Sequence, residues 1–551
     1  MSHGKLDAAG QGPSVLRVND ITLVLAVRAH ALNPWVLPRL AALAGYYQPA
    51  PPTLVVDFGS AQPYSEALRR LCLDAGFTYL RVEDAGVYSQ AIARNHGARH
   101  AGTSLLFFSD VDCLGERDLF ARLARFATAA EMAIVFDRVA LLPVYHLAAE
   151  ATAAVEAVQG PDERERGLCQ AVQRCVFAAP GTSAHYVDPQ SNFLLLRRDF
   201  FEYTGGYNAR FRGYGSEDFE FLLRVAQLQG VYPVPDALLD PGLGPQSPAF
   251  FEERPYRGFR RLFELMTIEA ELAGLRMAHL DHPRDRAGNP WLEAWDRKRE
   301  RFYAEASQVL RARDALLRFD FLPRKKRALV LVEGPRTVEL ALPLRLLDYA
   351  LSPITPGPAA RDAACSALAD GGVQLLLLAD DGSGPSALAR EVASFAAAHR
   401  VPVARIRHDP DFSDIRYAGL PERTDGEAVA RFAPPVLAAG VGVPALLWFE
   451  LSAPFHLQVR RMGLDGAFSA QSYGAVRAGV ASCLHTDSGQ RGRPVPSSQD
   501  ELGMPIARAG AARFGKLRKL LRNPRHFLED SKAPLLRRLG RALRPDSPRA
   551  K

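Results

Sequence analysis

Short apolar runs alternate with helical patterns along the N-terminal part of the chain. Four runs have the length and composition of buried strands: Ile21–Arg28, Thr53–Phe58, Thr78–Val82 and Ser104–Phe108. Apolar residues at helical spacing lie between them, at Pro38–Ala44, Ser65–Ala75 and Ser89–Ala98. Strands that alternate with helices predict βαβ units and a mostly parallel sheet, which is the α/β fold class.

Polar residues follow each of these predicted strands. In open parallel sheets, ligands bind at the carboxyl ends of the strands. The residues at these ends are Arg28, Asp57, Glu83, Asp84 and Asp110. The sequence therefore predicts a binding site that is bordered by one arginine and several carboxylates.

A second α/β pattern follows a charged stretch that predicts one long helix from Trp291 to Phe319. Further apolar runs of strand length begin at Ala328, Val373, Val401 and Val443. We therefore expect three regions: a first unit over 1–320, a second α/β domain over 325–495 and a tail over 500–551.

The second α/β region carries no reliable ligand fingerprint. Gly440-Val441-Gly442 lacks the preceding strand and the later acidic residue that a dinucleotide site requires. The stretch Leu378–Gly382 ends a predicted strand and is compatible with a nucleotide site. A non-catalytic packing or acceptor-binding domain agrees equally well with these residues.

The composition is that of a folded protein. Of 551 residues, 48% are apolar and 23% are charged, which excludes wholesale disorder. No apolar run reaches the roughly 18 residues of a transmembrane helix, and no secretory signal precedes the first strand. The 6 cysteines form no CxxC pairs, which argues against a zinc ribbon or a disulfide scaffold and predicts a reducing cytoplasm.

Positive charge is concentrated in the C-terminal tail. Residues 511–551 contain 13 Lys and Arg but only 3 Asp and Glu, whereas the whole chain has a net charge of +7. The body is therefore slightly acidic, which argues against nucleic acid as a partner. Leu535, Leu536, Leu539 and Leu543 recur at helical spacing among arginines. This basic amphipathic pattern is typical of a helix on an anionic membrane surface, although a solvated or partner-bound tail has the same pattern.

Asp110-Val111-Asp112 is the first candidate for chemistry. Two carboxylates at the end of a parallel strand can hold a divalent cation, whose remaining positions accept diphosphate oxygens. Such a pair is weak evidence alone, because Asp409-Pro410-Asp411 also follows an apolar run.

Two later motifs add to this signal. The stretch Asn192–Val225 contains two clusters of glycines, where backbone can approach a ligand closely, and then Glu217 and Asp218 at a predicted helix start. The stretch His279–Arg284 follows, with two imidazoles beside a carboxylate, and imidazole is a common transition-metal ligand.

The motifs SLLFFSDVD, GGYNARFRGYGSEDFEF and HLDHPRD, in this order, resemble those of GT-A-fold nucleotide-sugar glycosyltransferases. The most similar patterns are those of the β-1,4-galactosyltransferases and the bacterial chondroitin-type capsule polymerases, and YSQAIARNHG resembles their segment before the metal motif. The resemblance covers about residues 20–290. The tail segment KLRKLLRNPRHFLEDSK resembles C-terminal stretches of bacterial capsule-assembly enzymes.

The resemblance implies an inverting transfer from a UDP-sugar with Mn²⁺ or Mg²⁺ as cofactor. Asp112 and His282 would bind the metal, and Asp110 would contact the metal or the ribose. Asp218 would be the general base, and Glu217 would hydrogen-bond the acceptor or the donor sugar. Arg28, Asp57, Tyr88 and Gln90 would line the nucleotide, Asn95 would support that wall, and Tyr214 would pack on a sugar.

Two positions depart from the family pattern. Ser216 stands in a turn where the galactosyltransferases have paired glycines, so we expect a stiffer turn and an altered acceptor geometry. His279 stands where a thioether can occur, so it is either a second imidazole near the metal or a structural residue.

The leading hypothesis is a glycosyltransferase that extends a capsular or related surface glycan on an oligosaccharide or lipid-linked acceptor. It would work at the cytoplasmic face of the membrane, peripherally attached through the tail. One alternative is a bifunctional polysaccharide polymerase with a second transferase site in 325–495. The other is a non-catalytic GT-A-like scaffold of a capsule complex. The scaffold is disfavoured because Asp110, Asp112, Asp218 and His282 are all present.

Overall fold

The computed structural model describes most residues between 15 and 407 and three strands between 436 and 461. Within the first part it leaves out 131, 134–136, 159, 178–186, 189–191, 214, 230–239, 241, 245–258, 284–294, 312–313, 335–336 and 381–384. The predictions for Tyr214, for Gly440-Val441-Gly442 and for the basic tail lie outside the described residues.

A six-stranded sheet forms the centre of the N-terminal unit, and a four-stranded side sheet adjoins it. The strands are β1 (Ile21–Val27), β2 (Thr53–Phe58), β3 (Thr78–Val82), β4 (Leu105–Ser109), β5 (Cys113–Leu114), β6 (Val139–Leu141), β7 (Val144–His146), β8 (Val187–Asp188), β9 (Leu194–Arg197) and β10 (Met277–His279). The central order is β3-β2-β1-β4-β9-β6, and the side order is β5-β10-β7-β8. Strands β1 to β4 are parallel to one another, whereas β9 runs antiparallel to β4.

Helices connect and cover these strands. They are α1 (Val36–Leu43), α2 (Tyr64–Ala75), α3 (Gln90–His100), α4 (Leu119–Ala129), α5 (Ala149–Ala157), α6 (Pro161–Phe177), α7 (Arg198–Thr204), α8 (Glu217–Gln229), α9 (Arg260–Leu272), α10 (Trp295–Arg311) and α11 (Ala315–Arg318). Helix α3 lies very close to the sheet, because a Cβ atom on Gly97 would lie only 2.5 Å from Cγ1 of Val24.

A second mostly parallel sheet follows in the chain. Its elements are β11 (Lys326–Leu331), α12 (Thr337–Ala341), β12 (Tyr349–Ile354), α13 (Ala360–Ala369), β13 (Leu375–Asp380), α14 (Ala387–Ala398), β14 (Val403–Arg407) and β15 (Val436–Ala438). The order is β12-β11-β13-β14-β15, with only β15 antiparallel to its neighbour. Two further strands, β16 (Leu447–Ser452) and β17 (His456–Arg461), form an antiparallel pair.

The hydrophobic core follows the alternation of side chains along the buried strands. On one face of the central sheet, Val24 and Phe108 belong to a cluster that continues into the second unit through Ala328 and Val330. On the opposite face, Leu23 and Phe107 belong to a separate cluster. The two units therefore share one continuous apolar core rather than meeting through a solvated surface.

The α/β class, the mostly parallel N-terminal sheet and its first four strands are confirmed, with strand boundaries within one residue of those predicted. The single long helix predicted over 291–319 is wrong where the structure describes it, because α10 and α11 are separate helices with a turn at Asp314. Strand β12 was missed, since Pro353 and the Pro/Gly-rich residues after it hide a short strand. Every described helix is too short or too polar to cross a membrane.

Candidate functional site

The side sheet brings the aspartate motif and the histidine motif together. Strand β10 pairs antiparallel with β5, and His279 lies opposite Cys113 in this pairing. The carbonyl oxygen of Asp112, just before β5, accepts a hydrogen bond from the amide of Leu280 at 2.8 Å. Two segments that are distant in the sequence therefore place their polar side chains at the same end of one sheet.

Asp112, His279 and His282 are the one group of possible metal ligands among the described residues. Oδ2 of Asp112 lies 3.1 Å from Nε2 of His282 and 3.5 Å from Nε2 of His279. Burial alone would raise the pKa of Asp112, but the two imidazoles outweigh it and hold that pKa well below its ordinary value. One carboxylate with two imidazoles is a suitable donor set for Mn²⁺ and other first-row transition metals.

Asp110 has a different environment from Asp112. Its Oδ1 accepts hydrogen bonds from Nε2 of Gln90 at 2.5 Å and from Nη2 of Arg94 at 3.0 Å, and its Oδ2 accepts one from Nδ2 of Asn192 at 3.1 Å. Burial raises the pKa of Asp110, although the charge of Arg94 opposes this. Both oxygens are engaged by the protein, so the role of Asp110 as a metal ligand stays a prediction.

Arg94 connects the aspartate motif with the acidic pair. Its side chain is fully buried, and its Nε and Nη1 have no hydrogen-bond partner among the described residues. Burial opposes its charge, but Asp110, Tyr207, Glu217 and Asp218 together raise the pKa of Arg94. A buried guanidinium that several carboxylates surround stabilises their negative charge in a site from which water is excluded.

The acidic pair opens helix α8, as predicted. Both side chains are buried, and Oε2 of Glu217 has no hydrogen-bond partner among the described residues. Burial, and secondarily the charge of Asp218, raise the pKa of Glu217 to about 8. The amide of Phe219 donates a hydrogen bond to Oδ1 of Asp218 at 2.9 Å. The N-terminus of a helix favours negative charge, which suits an ionised Asp218.

The turn before α8 has a constrained backbone. Gly213, Gly215 and Ser216 all have positive φ, and at 80° Ser216 adopts a conformation that a non-glycine residue rarely takes. The amide of Gly213 donates to the carbonyl of Tyr88 at 2.6 Å. The turn is therefore hydrogen-bonded to the segment before helix α3, and Ser216 adopts a positive φ that glycine takes more readily.

Arg28 and Asp57 lie at the carboxyl edge of the sheet but are engaged by the protein. Arg28 donates to the carbonyls of Phe58, Asp84 and Gly86 at 2.5 to 2.8 Å. Asp57 accepts hydrogen bonds from the Ser60 amide, the Tyr79 hydroxyl and the Arg81 guanidinium. In this structure both side chains shape the loops at the edge, and their contact with a nucleotide stays a prediction.

The remaining predicted positions in the described part of the chain are Gln90, Tyr88 and Asn95, and their surroundings differ. Gln90 lies at the site, on Asp110. Tyr88 is buried, with its ring 5.6 Å from the ring of Phe58. The Asn95 side chain makes hydrogen bonds with the backbone of two other segments. Its Oδ1 accepts from the amide of Tyr207, and its Nδ2 donates to the carbonyls of Tyr207 and Phe321. Asn95 therefore joins the segment after α7 to the segment after α11, and its supporting role beside the nucleotide stays a prediction.

Sequence reasoning missed four side chains near the site. Arg94 and Asn192 hold Asp110, Lys298 of α10 lies near Glu217, and Trp35 stacks on His282. Burial lowers the pKa of Lys298 to about 8, although the charge of Glu217 opposes this. Arg94 and Asn192 had a local signal, since they belong to the YSQAIARNHG segment and to the stretch Asn192–Val225. Lys298 and Trp35 come from segments that approach the site only in the folded chain.

Comparisons with known proteins agree with this architecture. The glycosyltransferase like family 2 matches residues 22–307, which is more than half of the chain. A solved mannosyltransferase from Pyrobaculum calidifontis, in complex with GDP-Man and Mn²⁺, is 16% identical, with 70% of this chain and 82% of that chain covered and a TM-score of 0.29. That score is too low to support an argument from its structure, and no curated protein matches significantly. Because the family model matches residues 22–307 and the central sheet there is Rossmann-like, the chain belongs to the glycosyltransferase like family 2 and contains a GT-A glycosyltransferase domain.

Proposed function

We propose that the chain is a metal-dependent inverting glycosyltransferase that moves a sugar from a UDP-sugar to a hydroxyl group of a growing glycan. The observation that carries this proposal is that one family domain contains a metal-ligand group and a buried acidic pair, with Arg94 interacting with Asp110 and with both members of the pair. Asp112, His279 and His282 form the first, and Glu217 and Asp218 form the second. A metal-dependent inverting transfer uses both, because the metal supports the leaving diphosphate and a carboxylate activates the acceptor.

The donor set at Asp112 fits the implied metal. The carboxylate and both imidazole Nε2 atoms are close enough to share one ion, and the pKa of Asp112 keeps its carboxylate ionised. Asp112, His279 and His282 would therefore hold Mn²⁺ or, less well matched to imidazole, Mg²⁺. When bound, such an ion supplies positive charge that stabilises the leaving nucleoside diphosphate.

Asp218 is the better candidate for the general base. Glu217 has its pKa raised to about 8, so it is mostly protonated at neutral pH and cannot accept another proton. A protonated Glu217 can instead donate a hydrogen bond from the carboxyl group whose Oε2 has no hydrogen-bond partner among the described residues. We assign removal of the proton of the acceptor hydroxyl to Asp218 and recognition of a sugar oxygen to Glu217.

The nucleotide would lie at the carboxyl edge of β1, β2 and β4, where open parallel sheets bind their ligands. Gln90 and Asp110 face this edge together, while Arg28 fixes the loop that contains Asp84 and Gly86. Tyr214 would pack on a sugar, and UDP as the nucleotide rests on the motif resemblance. The acceptor would be an oligosaccharide or a lipid-linked glycan of a capsular or related polysaccharide, reached at an anionic membrane surface through the basic tail.

Two alternatives predict different behaviour. A bifunctional polymerase requires a second transferase site in residues 325–495, and the described part of that region contains no group of possible metal ligands. A non-catalytic scaffold would not need the buried ionisable groups around Arg94, which are costly to bury without a catalytic use. We therefore favour a single active site in the N-terminal domain.

Release of nucleoside diphosphate tests the proposal. Purified full-length chain would be incubated with a panel of UDP- and GDP-sugars with Mn²⁺, with Mg²⁺ and with a chelator, and with and without oligosaccharide acceptors. We expect release from one UDP-sugar, loss of release with the chelator, and loss in the Asp218→Asn variant. Release that continues in the chelator, or from GDP-sugars only, would contradict the metal dependence or the donor assignment respectively.

A further inference from the structure

His282 is held from outside its own segment. It lies three residues beyond the end of β10, so sheet hydrogen bonds do not fix its ring. Its imidazole stacks instead on the indole of Trp35, with 4.4 Å between the ring centroids and 23° between the planes. Trp35 comes from the loop between β1 and α1, far from His282 in the sequence.

The Arg39 side chain holds the backbone of the segment that contains His282. Its Nη1 donates to the carbonyl of Leu280 at 3.2 Å, and its Nη2 donates to the carbonyl of Asp281 at 2.6 Å. The guanidinium lies 5.0 Å from the centroid of the Trp35 ring and forms an ion pair with Glu156 at 2.7 Å. One planar group therefore contacts both the backbone before His282 and the ring that stacks on His282.

These contacts determine which nitrogen of His282 is available. Nε2 points toward Asp112, at 3.1 Å from Oδ2, while Nδ1 lies 3.3 Å from the carbonyl of Pro283. Rotation of the ring away from this position would separate Nε2 from the carboxylate and break the stack with Trp35. Groups that orient a ligand histidine commonly contribute 10- to 100-fold to the metal affinity.

We infer that Trp35 and Arg39 are positioning residues that preorganise His282 for a divalent transition-metal ion. The inference rests on the metal site of the proposed function and adds the parts that hold its ring and backbone. Trp35 would act through stacking and Arg39 through the two carbonyls. Neither side chain needs to touch the ion or the nucleotide.

Binding of Mn²⁺ to the full-length protein, measured from the free-ion EPR signal without nucleotide, tests this directly. We expect Trp35→Leu to raise the Kd for Mn²⁺ about 10-fold, because the stack is lost. Trp35→Phe should stay within about 2-fold of the wild-type Kd, because a phenyl ring can still stack. Arg39→Lys should give an increase between these two, because lysine cannot hold two carbonyls with a planar fork.

The chain offers a matched control far from the site. Phe395 stacks on His399 with 4.1 Å between centroids and 20° between planes, in the second unit. Phe395→Leu removes the same kind of contact and should leave the Kd for Mn²⁺ unchanged. Thermal unfolding in a chelator would show whether each variant is folded, and for the active variants transfer at saturating Mn²⁺ should return to near the wild-type kcat.

The outcomes separate this inference from the proposed function. If the wild type binds no Mn²⁺, or Asp112→Asn binds it as tightly as the wild type, the metal site itself is wrong and the inference fails with it. If the wild type binds and Asp112→Asn does not, an unchanged Kd in folded Trp35→Leu and Arg39→Lys overturns the positioning role alone. An equal loss in Phe395→Leu would also overturn it, because the effect would then be one of general stability.

Discussion

The two α/β units have similar sheets but very different strand ends. In both, short apolar strands run parallel and bury side chains on both faces. At the carboxyl edge of the first unit, Arg94 and Glu217 have buried polar atoms without a described partner. In the second unit, two polar side chains near the equivalent edge satisfy each other, since the hydroxyl of Ser386 donates to the carboxylate of Glu333.

This difference shows that a parallel sheet supplies a place for a site but not its chemistry. The reactive groups of the first unit arrive on added elements: the side sheet carries Asp112 and His279, and α8 carries Glu217 and Asp218. The described part of the second unit has no corresponding side sheet and no group of possible metal ligands.

The second unit is nevertheless tied to the first. Arg345 is fully buried and donates to the carbonyls of Tyr203 and Leu316, and Arg324 donates to the carbonyls of Glu202 and Arg345. Asp320 lies between the two guanidinium groups. Together with the shared apolar core, this polar junction joins the second unit to the end of α7.

The largest effects are expected from substitutions in the metal-ligand group and in the acidic pair, and the two kinds of substitution should differ in their effect on Mn²⁺ binding. Asp218→Asn should lower kcat by about 10³-fold through loss of the base while leaving the Mn²⁺ affinity unchanged. Asp112→Asn should lower activity by a similar factor at ordinary Mn²⁺ concentrations and should also abolish Mn²⁺ binding. Steady-state kinetics together with Mn²⁺ titration distinguish the two. The exposed Asp370 of the second unit supplies the control, and Asp370→Asn should alter neither quantity.

Arg345→Ala tests the junction between the units. It removes a buried charge next to Asp320 and leaves the carbonyls of Tyr203 and Leu316 unsatisfied, so we expect a loss of about 3 to 5 kcal/mol in the free energy of unfolding. Because the core is shared, the two units of the wild-type chain should unfold together, in one transition in calorimetry and in denaturant titration. Two separate transitions, or a variant as stable as the wild type, would show that the units are independent.

Glu217→Gln tests the protonation state of the acidic pair. The folded pKa of Glu217 is about 8 against an ordinary value of 4.5, so the folded chain binds more protons than the unfolded chain between these values. Its contribution to stability is complete below the lower value and is lost as the pH rises through the upper one. Denaturant unfolding from about pH 5 to about pH 8 should therefore show a decline in stability that is smaller in the variant. An equal decline in both proteins would contradict the raised pKa, and Glu391→Gln, on the exposed surface of α14, is the control.

A smaller effect is expected from close packing in the first unit. In Gly97→Ala, the new methyl group would lie 2.5 Å from Cγ1 of Val24 and 3.1 Å from Cγ2 of Val56, so helix α3 must shift from the sheet. We expect a loss of about 2 kcal/mol in the free energy of unfolding. Gly102→Ala, where no atom lies within 4 Å of the added carbon, should be close to neutral. Similar stabilities of the two variants would show that α3 is not tightly packed.

The predictable parts of the site were those with a local cause. Asp110 and Asp112 were found because they follow a buried strand, and Glu217 and Asp218 because carboxylates at a helix start have a recognisable pattern. Their partners were not predictable. Sequence position placed Arg28 and Asp57 at the sheet edge, but only the fold shows that their hydrogen bonds go to neighbouring loops.

The sequence by itself determined the α/β class, the first four strands and the order of the motifs, because apolar runs and helical spacing are short-range patterns that sequence records directly. Only the tertiary structure decided that His279 joins His282 at Asp112, that Trp35 and Arg39 hold the histidine segment, and that Arg94 lies among the carboxylates. Those outcomes depend on strand pairing and on the burial of charge, which join residues far apart in the chain and therefore leave no periodic trace in it.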